Sequence, residues 1–260
     1  MRAVVVTGST RGIGFGLVKA FLRRGCGVAV SSRSAENVGR AAAELAAEFG
    51  NDRVFGQTCD VTDFPSVQSL WDASAKRFGA VDIWINNAGI SHRRADLEAI
   101  SPEDLRAVVE TNLVGALFGA RAAMRGMRER GSGAIYNLEG LGSDGRRMQG
   151  LHLYGLTKRA IAYLTDALAD EVKGSGVIVG AIRPGMVLTE MITSQYTGRE
   201  AEWRRVERMF RILAADVEEV TPWVADRVLA NRRNGARIRY GGMGRMLRRT
   251  IRTGLFPKKE

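Results

Sequence analysis

Histidine and cysteine are scarce, with two of each in 260 residues. Cys26 and Cys59 lie far apart in strand-like regions, and the only histidines are His92 and His152. That excludes a disulfide framework and a Cys/His metal site as organising devices. Two buried free thiols in a reducing compartment are expected, and no metal. No apolar run approaches the roughly 20 residues that a membrane-spanning helix needs. The first strand-like run, Ala3-Val4-Val5-Val6, starts almost at the first residue. Neither a signal nor a transit peptide is therefore expected, and the chain reads as cytoplasmic. There is no internal repeat, low-complexity linker or domain boundary. Acids are nearly missing from one stretch: residues 227–260 hold eleven Arg and Lys against the single acid Glu260. Of the net charge of +11, +10 sits there, and the remainder of the chain is close to neutral. The basic balance therefore describes a tail and says little about the body.

What is present is an alternation. Hydrophobic residues at 45% and charged residues at 26% suit a soluble globular protein. Strand candidates are residues 3–7, 27–31, 53–59, 81–86, 133–137 and 177–183, with a short one at 236–240. Helix candidates are 12–24, 35–49, 64–78, 102–130, 153–173 and 217–231. The strands read as continuous Val/Ile runs, as expected when both faces of a parallel sheet are covered. Strands alternating with helices predict one doubly wound α/β domain over residues 1–240, with a central parallel sheet and helices on both faces. Residues 241–260 form a basic arm.

A glycine-rich turn, Thr7-Gly8-Ser9-Thr10-Arg11-Gly12-Ile13-Gly14, follows the first strand directly. Gly8 permits a tight turn, Gly12 lets backbone approach a pyrophosphate, and Gly14 lets the helix pack on the strand. The helix start offers free N–H groups to phosphate, with Thr10, Arg11 and Ile13 at its mouth. This is a Rossmann-type dinucleotide site. An acid at the end of the second strand would select NAD by bonding its ribose hydroxyl. Here the run is Ser31-Ser32-Arg33-Ser34. Ser32 and Arg33 are placed to receive a 2′-phosphate, so NADP(H) is the expected cofactor.

Tyr154 and Lys158 are four apart on a predicted helix and project from one face. A lysine ammonium beside a phenol stabilises the phenolate and is expected to lower its pKa. Such a tyrosine can give a proton to a carbonyl oxygen or take it back.

The order of the glycine-rich turn, Asn86-Asn87-Ala88-Gly89, Tyr154-Gly155-Leu156-Thr157-Lys158 and Arg183-Pro184-Gly185 resembles the short-chain dehydrogenase/reductases, from residue 2 to about residue 230. That resemblance implies an NADP(H)-dependent oxidoreductase acting on carbonyl or alcohol groups. It makes Tyr154 the acid and gives Lys158 a second task on the nicotinamide ribose. It places Asn112 in the helix that shapes a proton relay. Asp60 and Val61 would read adenine, and Asn87, Ala88 and Gly89 would flank the adenosine ribose. Pro184, Gly185, Val187 and Thr189 would meet the nicotinamide end, and a substrate lid would span residues 186–215. It also implies a homo-oligomer built through the longest helices.

The chain departs from the family at the serine. The family places it 13 residues before the tyrosine, where this sequence has Leu141. Glu139-Gly140 stand where a serine pair would follow the fifth strand, and Ser143, 11 before Tyr154, is the nearest hydroxyl. Ser143 is the candidate for bonding the substrate oxygen; the alternative is that it caps a loop whose backbone N–H groups polarise the carbonyl. The run Asn137-Leu138-Glu139-Gly140-Leu141-Gly142-Ser143-Asp144-Gly145, with Pro184-Gly185-Met186-Val187-Leu188-Thr189, resembles the chlorophyll b reductase branch. Members of that branch reduce a formyl group on a large macrocycle with NADPH.

Met186, Leu188, Met191, Ile192, Trp203, Met209, Phe210, Ile212 and Leu213 make the lid region apolar, which suits a bulky apolar substrate. His92, just after Asn86-Asn87-Ala88-Gly89, reads as a solvated loop residue, the alternative being that it faces the pocket. In the arm, Met243, Met246, Leu247 and Ile251 at near-helical spacing among arginines would suit peripheral contact with an anionic membrane surface. No nucleic-acid module accompanies the charge. The competing reading is an NADP-binding, surface-docked protein with little or no turnover, which the displaced serine favours.

Overall fold

The structure is a computed structural model and describes residues 1–241. The proposed amphipathic run in the arm lies outside the described residues. Seven strands form one parallel sheet in the order β3-β2-β1-β4-β5-β6-β7. They are β1 Ala3–Val6, β2 Gly27–Ser32, β3 Val54–Thr58, β4 Ile83–Asn86, β5 Gly133–Leu138, β6 Val177–Arg183 and β7 Arg237–Arg239. The helices between them are α1 Gly12–Leu22, α2 Ala35–Phe49, α3 Phe64–Phe78, α4 Pro102–Val109, α5 Gly115–Arg130, α6 His152–Glu171, α7 Glu190–Ser194, α8 Glu200–Leu213 and α9 Val217–Ala230.

Alternate strand residues feed two cores. Val4, Val6, Val28, Val30, Ile83 and Ile85 pack on one face with Leu17 and Phe21 of α1, Leu45 of α2 and Val224 of α9. Val5, Ala29, Trp84, Ile135 and Val179 pack on the other with Leu70 of α3, Ala123 and Met127 of α5 and Ala169 of α6. Both faces are therefore dry, which is why the strands carry no polar alternation. The sheet order reverses between β1 and β4, and ligands of such sheets bind at that point, beyond the strands' carboxyl ends.

The expected helix over 102–130 is interrupted. Glu110–Val114 forms a π-helical turn between α4 and α5, with Thr111 and Asn112 buried in it. The basic segment also divides. Arg227, Arg232, Arg233, Arg237 and Arg239 belong to the folded body rather than to the arm, and Arg237 pairs with Asp166 at 2.7 Å. Both cysteines are free and buried, and burial pushes both thiols up, Cys59 to about 11.

Candidate active site

The turn after β1 and the loop after β4 close on each other. Gly8 and Gly12 have φ of 62° and 56°. A Cβ on Gly8 would stand 2.8 Å from the Ala88 Cα, and one on Gly14 would stand 2.6 Å from the Gly8 carbonyl oxygen. Thr7 Oγ1 accepts from the backbone of Asn87 and of Ala88, each at 3.1 Å, and the Asn87 amide donates to the carbonyls of Thr7 and Gly8 at 2.7 and 3.0 Å. Ser9 ties the turn to β2 by accepting from the Ser31 N–H at 3.0 Å. No side chain caps α1 at Arg11, and its first turn holds no acid. Thr10 and Ile13 lie half-buried beside that start. The helix therefore opens on uncapped N–H groups, a setting that favours an anion.

Further along the sheet, the Ser32 hydroxyl donates to the Ser34 carbonyl at 3.2 Å. Arg33 is exposed, and its guanidinium has no hydrogen-bond or ion-pair partner among the described residues. Asp60 Oδ1 accepts from the Thr62 N–H and hydroxyl at 2.9 and 2.8 Å, and Val61 is buried behind it. At the other end, Pro184 and Gly185 lead to Val187, which bridges to Ala215, and Thr189 precedes α7. A Cβ on Gly12 would meet Thr189 Cγ2 at 3.8 Å, and Arg11 pairs with Glu190 at 2.5 Å across the mouth. The side-chain-free cradle, the uncapped helix start and the free Arg33 fit a dinucleotide.

Lys158 lies in α6, only 4% exposed, and its Nζ donates to the Leu138 carbonyl at 2.9 Å. The same Nζ stands 5.7 Å from the centre of the Tyr154 ring. Gly89 completes the corner: a Cβ there would be 3.3 Å from Asn112 Oδ1 and 3.7 Å from Lys158 Nζ. Asn112 spends its whole amide on fixing this corner. Its Oδ1 accepts from the Ile90 N–H at 2.8 Å, and its Nδ2 donates to the Ile90 carbonyl at 2.9 Å and to Thr157 Oγ1 at 3.1 Å. The π turn aims it; such turns cluster at functional sites. Below them, Asn86 donates to Asn137 at 2.9 Å and Asn137 to Thr165 at 3.0 Å, a buried polar chain joining β4, β5 and α6.

The electrostatics of the pair differ from the sequence expectation. Burial pushes the Tyr154 phenol up to about 12. Loss of water around the phenolate outweighs an ammonium held against a carbonyl. Burial also brings Lys158 down to about 8, against the opposing pull of the Glu139 carboxylate. At neutral pH this structure holds a protonated phenol beside a charged lysine.

The loop before α6 places Ser143 and Gly140 differently. Ser143 is 2% exposed, and its hydroxyl donates to the Gly140 carbonyl at 2.6 Å. The residue facing the phenol is Gly140, where a Cβ would stand 2.7 Å from Tyr154 Oη. Counting from the end of β5 rather than back from Tyr154 finds this position. Sequence reasoning also left without a role the residues around Glu139, a buried carboxylate gripped by Arg183 and Arg237. A charged residue directly after a fully buried strand end was the available signal.

In the lid region, Trp203 and Phe210 stack on each other at 5.7 Å and both rings pack against Tyr196. Met186 and Met209 are exposed. His92 is buried rather than solvated, with Nδ1 2.6 Å from the Arg93 carbonyl. Among the described residues no His/Cys/Asp/Glu group could hold a metal, and no helix is long and apolar enough to cross a membrane.

A parallel sheet with a glycine-rich turn at its switch point and a Tyr/Lys pair at the same edge is the layout of a nicotinamide-dependent oxidoreductase. A model of the short chain dehydrogenase family matches residues 2–200. The chain belongs to that family, whose members act on carbonyl and alcohol groups. It is 37% identical over 232 residues to the chloroplastic chlorophyll(ide) b reductase NOL of Oryza sativa, covering 87% of this chain and 66% of that protein. It thus spans just under two thirds of that relative. Among solved structures, levodione reductase superposes with a TM-score of 0.85 at 25% identity, covering 95% of this chain and 98% of that one. An actinorhodin polyketide ketoreductase variant with NADPH gives 0.82 at 28% identity, covering 93% and 96%. These comparisons correct one expectation. The cytoplasmic placement drawn from the chain start does not stand, because the NOL and NYC1 relatives are chloroplastic proteins.

Proposed function

We propose that this chain is an NADP(H)-dependent reductase that delivers a proton from Tyr154 to the carbonyl oxygen of a bulky apolar aldehyde or ketone. The observation that carries the reading is the corner in which Tyr154, Lys158, Gly89 and Asn112 meet at the carboxyl edge of β4 and β5. Gly8, Thr10, Gly12, Ile13 and Gly14 would hold the pyrophosphate, and Ser32 and Arg33 a 2′-phosphate. Asp60, Val61, Asn87 and Ala88 would line the adenosine, with Pro184, Gly185, Val187 and Thr189 at the nicotinamide. The bound nucleotide supplies hydride. Tyr154 keeps its proton until the substrate oxygen gains charge. The Lys158 ammonium stabilises the phenolate left behind. Asn112 holds the corner rigid, and Ser143 acts through the turn that presents Gly140.

The preference for NADP rests on the free Arg33 and the lack of an acid at the end of β2. Likeness to chlorophyll(ide) b reductases supports a large macrocyclic aldehyde, and the exposed Met186 and Met209 give the lid region adaptable apolar surface. Exposed Leu117 on α5 with Leu156 and Tyr163 on α6 supports a homo-oligomer formed through these helices. The test is NADPH oxidation with a panel of bulky aldehydes. Wild type should turn over and Tyr154→Phe should lose activity by at least about 10²-fold. Equal rates would remove the phenol from the reaction, and a silent wild type that binds NADPH would favour the low-turnover alternative.

A further inference from the structure

Glu139 is the first residue beyond β5, and its side chain is wholly buried. Oε2 accepts from Arg183 Nε and Nη2 at 2.9 and 2.7 Å, and Oε1 accepts from Arg237 Nε at 3.2 Å. Its own N–H donates to the Ile182 carbonyl at 2.8 Å, locking the turn to β6. On one side of it lies Leu138, whose carbonyl holds Lys158 Nζ at 2.9 Å. On the other lies Gly140, against Tyr154 Oη. The glutamate therefore sits in chain between the two groups that fix the reacting pair.

A buried carboxylate is expensive unless it is matched, and hydrophobic packing would serve stability at least as well. The surrounding charges are arranged so that Glu139 is not cancelled. Arg183 is shared with Asp144 at 3.3 Å and Arg237 with Asp166 at 2.7 Å. Arg146 gives Asp144 its backbone N–H at 3.1 Å, but its guanidinium, mostly in water, stands 3.7 Å away. Three acids thus face two buried-side guanidiniums, and the Lys158 ammonium supplies the remaining inner positive charge. The other polar groups at Lys158, the Asn112 amide and the Tyr154 phenol, are neutral.

We propose that Glu139 is a positioning residue for the Tyr154/Lys158 pair. Clamped by Arg183 and Arg237, it keeps Lys158 charged in a dry site and holds the Gly140 turn against the phenol. This rests on the reading of Tyr154 and Lys158 as the reacting groups, so the test reads Lys158 directly. The Lys158 side chain is followed by NMR in protein carrying 13C-labelled lysine, without nucleotide, with Lys158→Met to assign it. In Glu139→Gln the Lys158 titration moves about one pH unit lower, and Glu139→Asp restores much of it. Arg237→Gln, at a site 27% exposed, leaves Glu139 less neutralised and moves the titration the other way. The alkaline limb of the NADPH oxidation profile follows the same shifts. A purely structural role would lower the Tm of these variants and leave the Lys158 titration in place; that result, in Glu139→Gln or, if it does not fold, in Arg237→Gln, overturns the proposal. Shifted titrations in a chain that turns over no carbonyl would instead sink the reductase reading and leave this assignment standing.

Discussion

Gly140→Ala is the sharpest probe of the site. The new Cβ would lie 2.7 Å from Tyr154 Oη and 3.4 Å from Lys158 Cγ. Ordinary contact begins near 3.4 Å, so the hydroxyl has to move by about 0.7 Å. Gly140 is not among the glycines with positive φ, so its backbone accepts alanine. The substitution also removes freedom from the unfolded chain, worth about 0.4–1 kcal/mol in favour of folding. Stability should therefore change little while the phenol is displaced. Misplacing a catalytic group by roughly 1 Å can cost about 10²-fold in rate, so a fall of about 10- to 100-fold in kcat is expected. In activation free energy that is about 1.4–2.7 kcal/mol. The assay is NADPH oxidation at saturating aldehyde, with NADPH affinity and Tm measured on the same protein. A kcat within twofold of wild type, at unchanged Tm, would mean that Tyr154 Oη is not where the proton leaves, and the reasoning would fail.

Arg33→Ala should lower the ratio of kcat/KM with NADPH to that with NADH by at least about tenfold, or about 1.4 kcal/mol, and an unchanged ratio would return Arg33 to the solvated surface. Ser143→Ala should reduce kcat by less than about tenfold, since the hydroxyl it removes is held by the Gly140 carbonyl; a loss of about 10²-fold or more would make it a substrate contact. Lys158 binds its proton more weakly folded, at about 8, than unfolded, at the ordinary 10.5. Its contribution to stability is therefore present above the ordinary lysine range and lost as pH falls through about 8. Chemical denaturation of wild type and Lys158→Met between pH 7 and 11 should show wild-type stability rising across that window relative to the variant, and parallel curves would contradict the burial described.

The sheet was legible because its signals are local. Runs such as Val4-Val5-Val6 state their own burial on both faces, and the glycines at Gly8–Gly14 state a tight turn against the next loop. The Tyr154/Lys158 spacing is likewise a property of a single helix. What escaped depended on contacts between segments distant in the chain. The π turn at Glu110–Val114 leaves no pattern in a sequence that is helical on both sides. The roles of Gly140 and Glu139 depend on Tyr154, Arg183 and Arg237, which the fold brings together from β6, β7 and α6. The upward shift at Tyr154 was missed for the same reason, because spacing reports a neighbour and not the loss of solvent. His92 looked exposed in sequence because loops usually are, and here its ring alone turns inward while Arg93 beside it stays exposed.

The π turn at Glu110–Val114 sets stiffness against aim. A regular helix through 102–130 would be the stronger hydrogen-bonded rod, yet removing the surplus residue would leave the flanking helices nearly in phase and re-aim only the residues of the turn itself. Asn112 would then swing off Ile90 and Thr157. A single-residue deletion there would relax the helix while disarming the corner, so the turn and the amide it aims come as one unit.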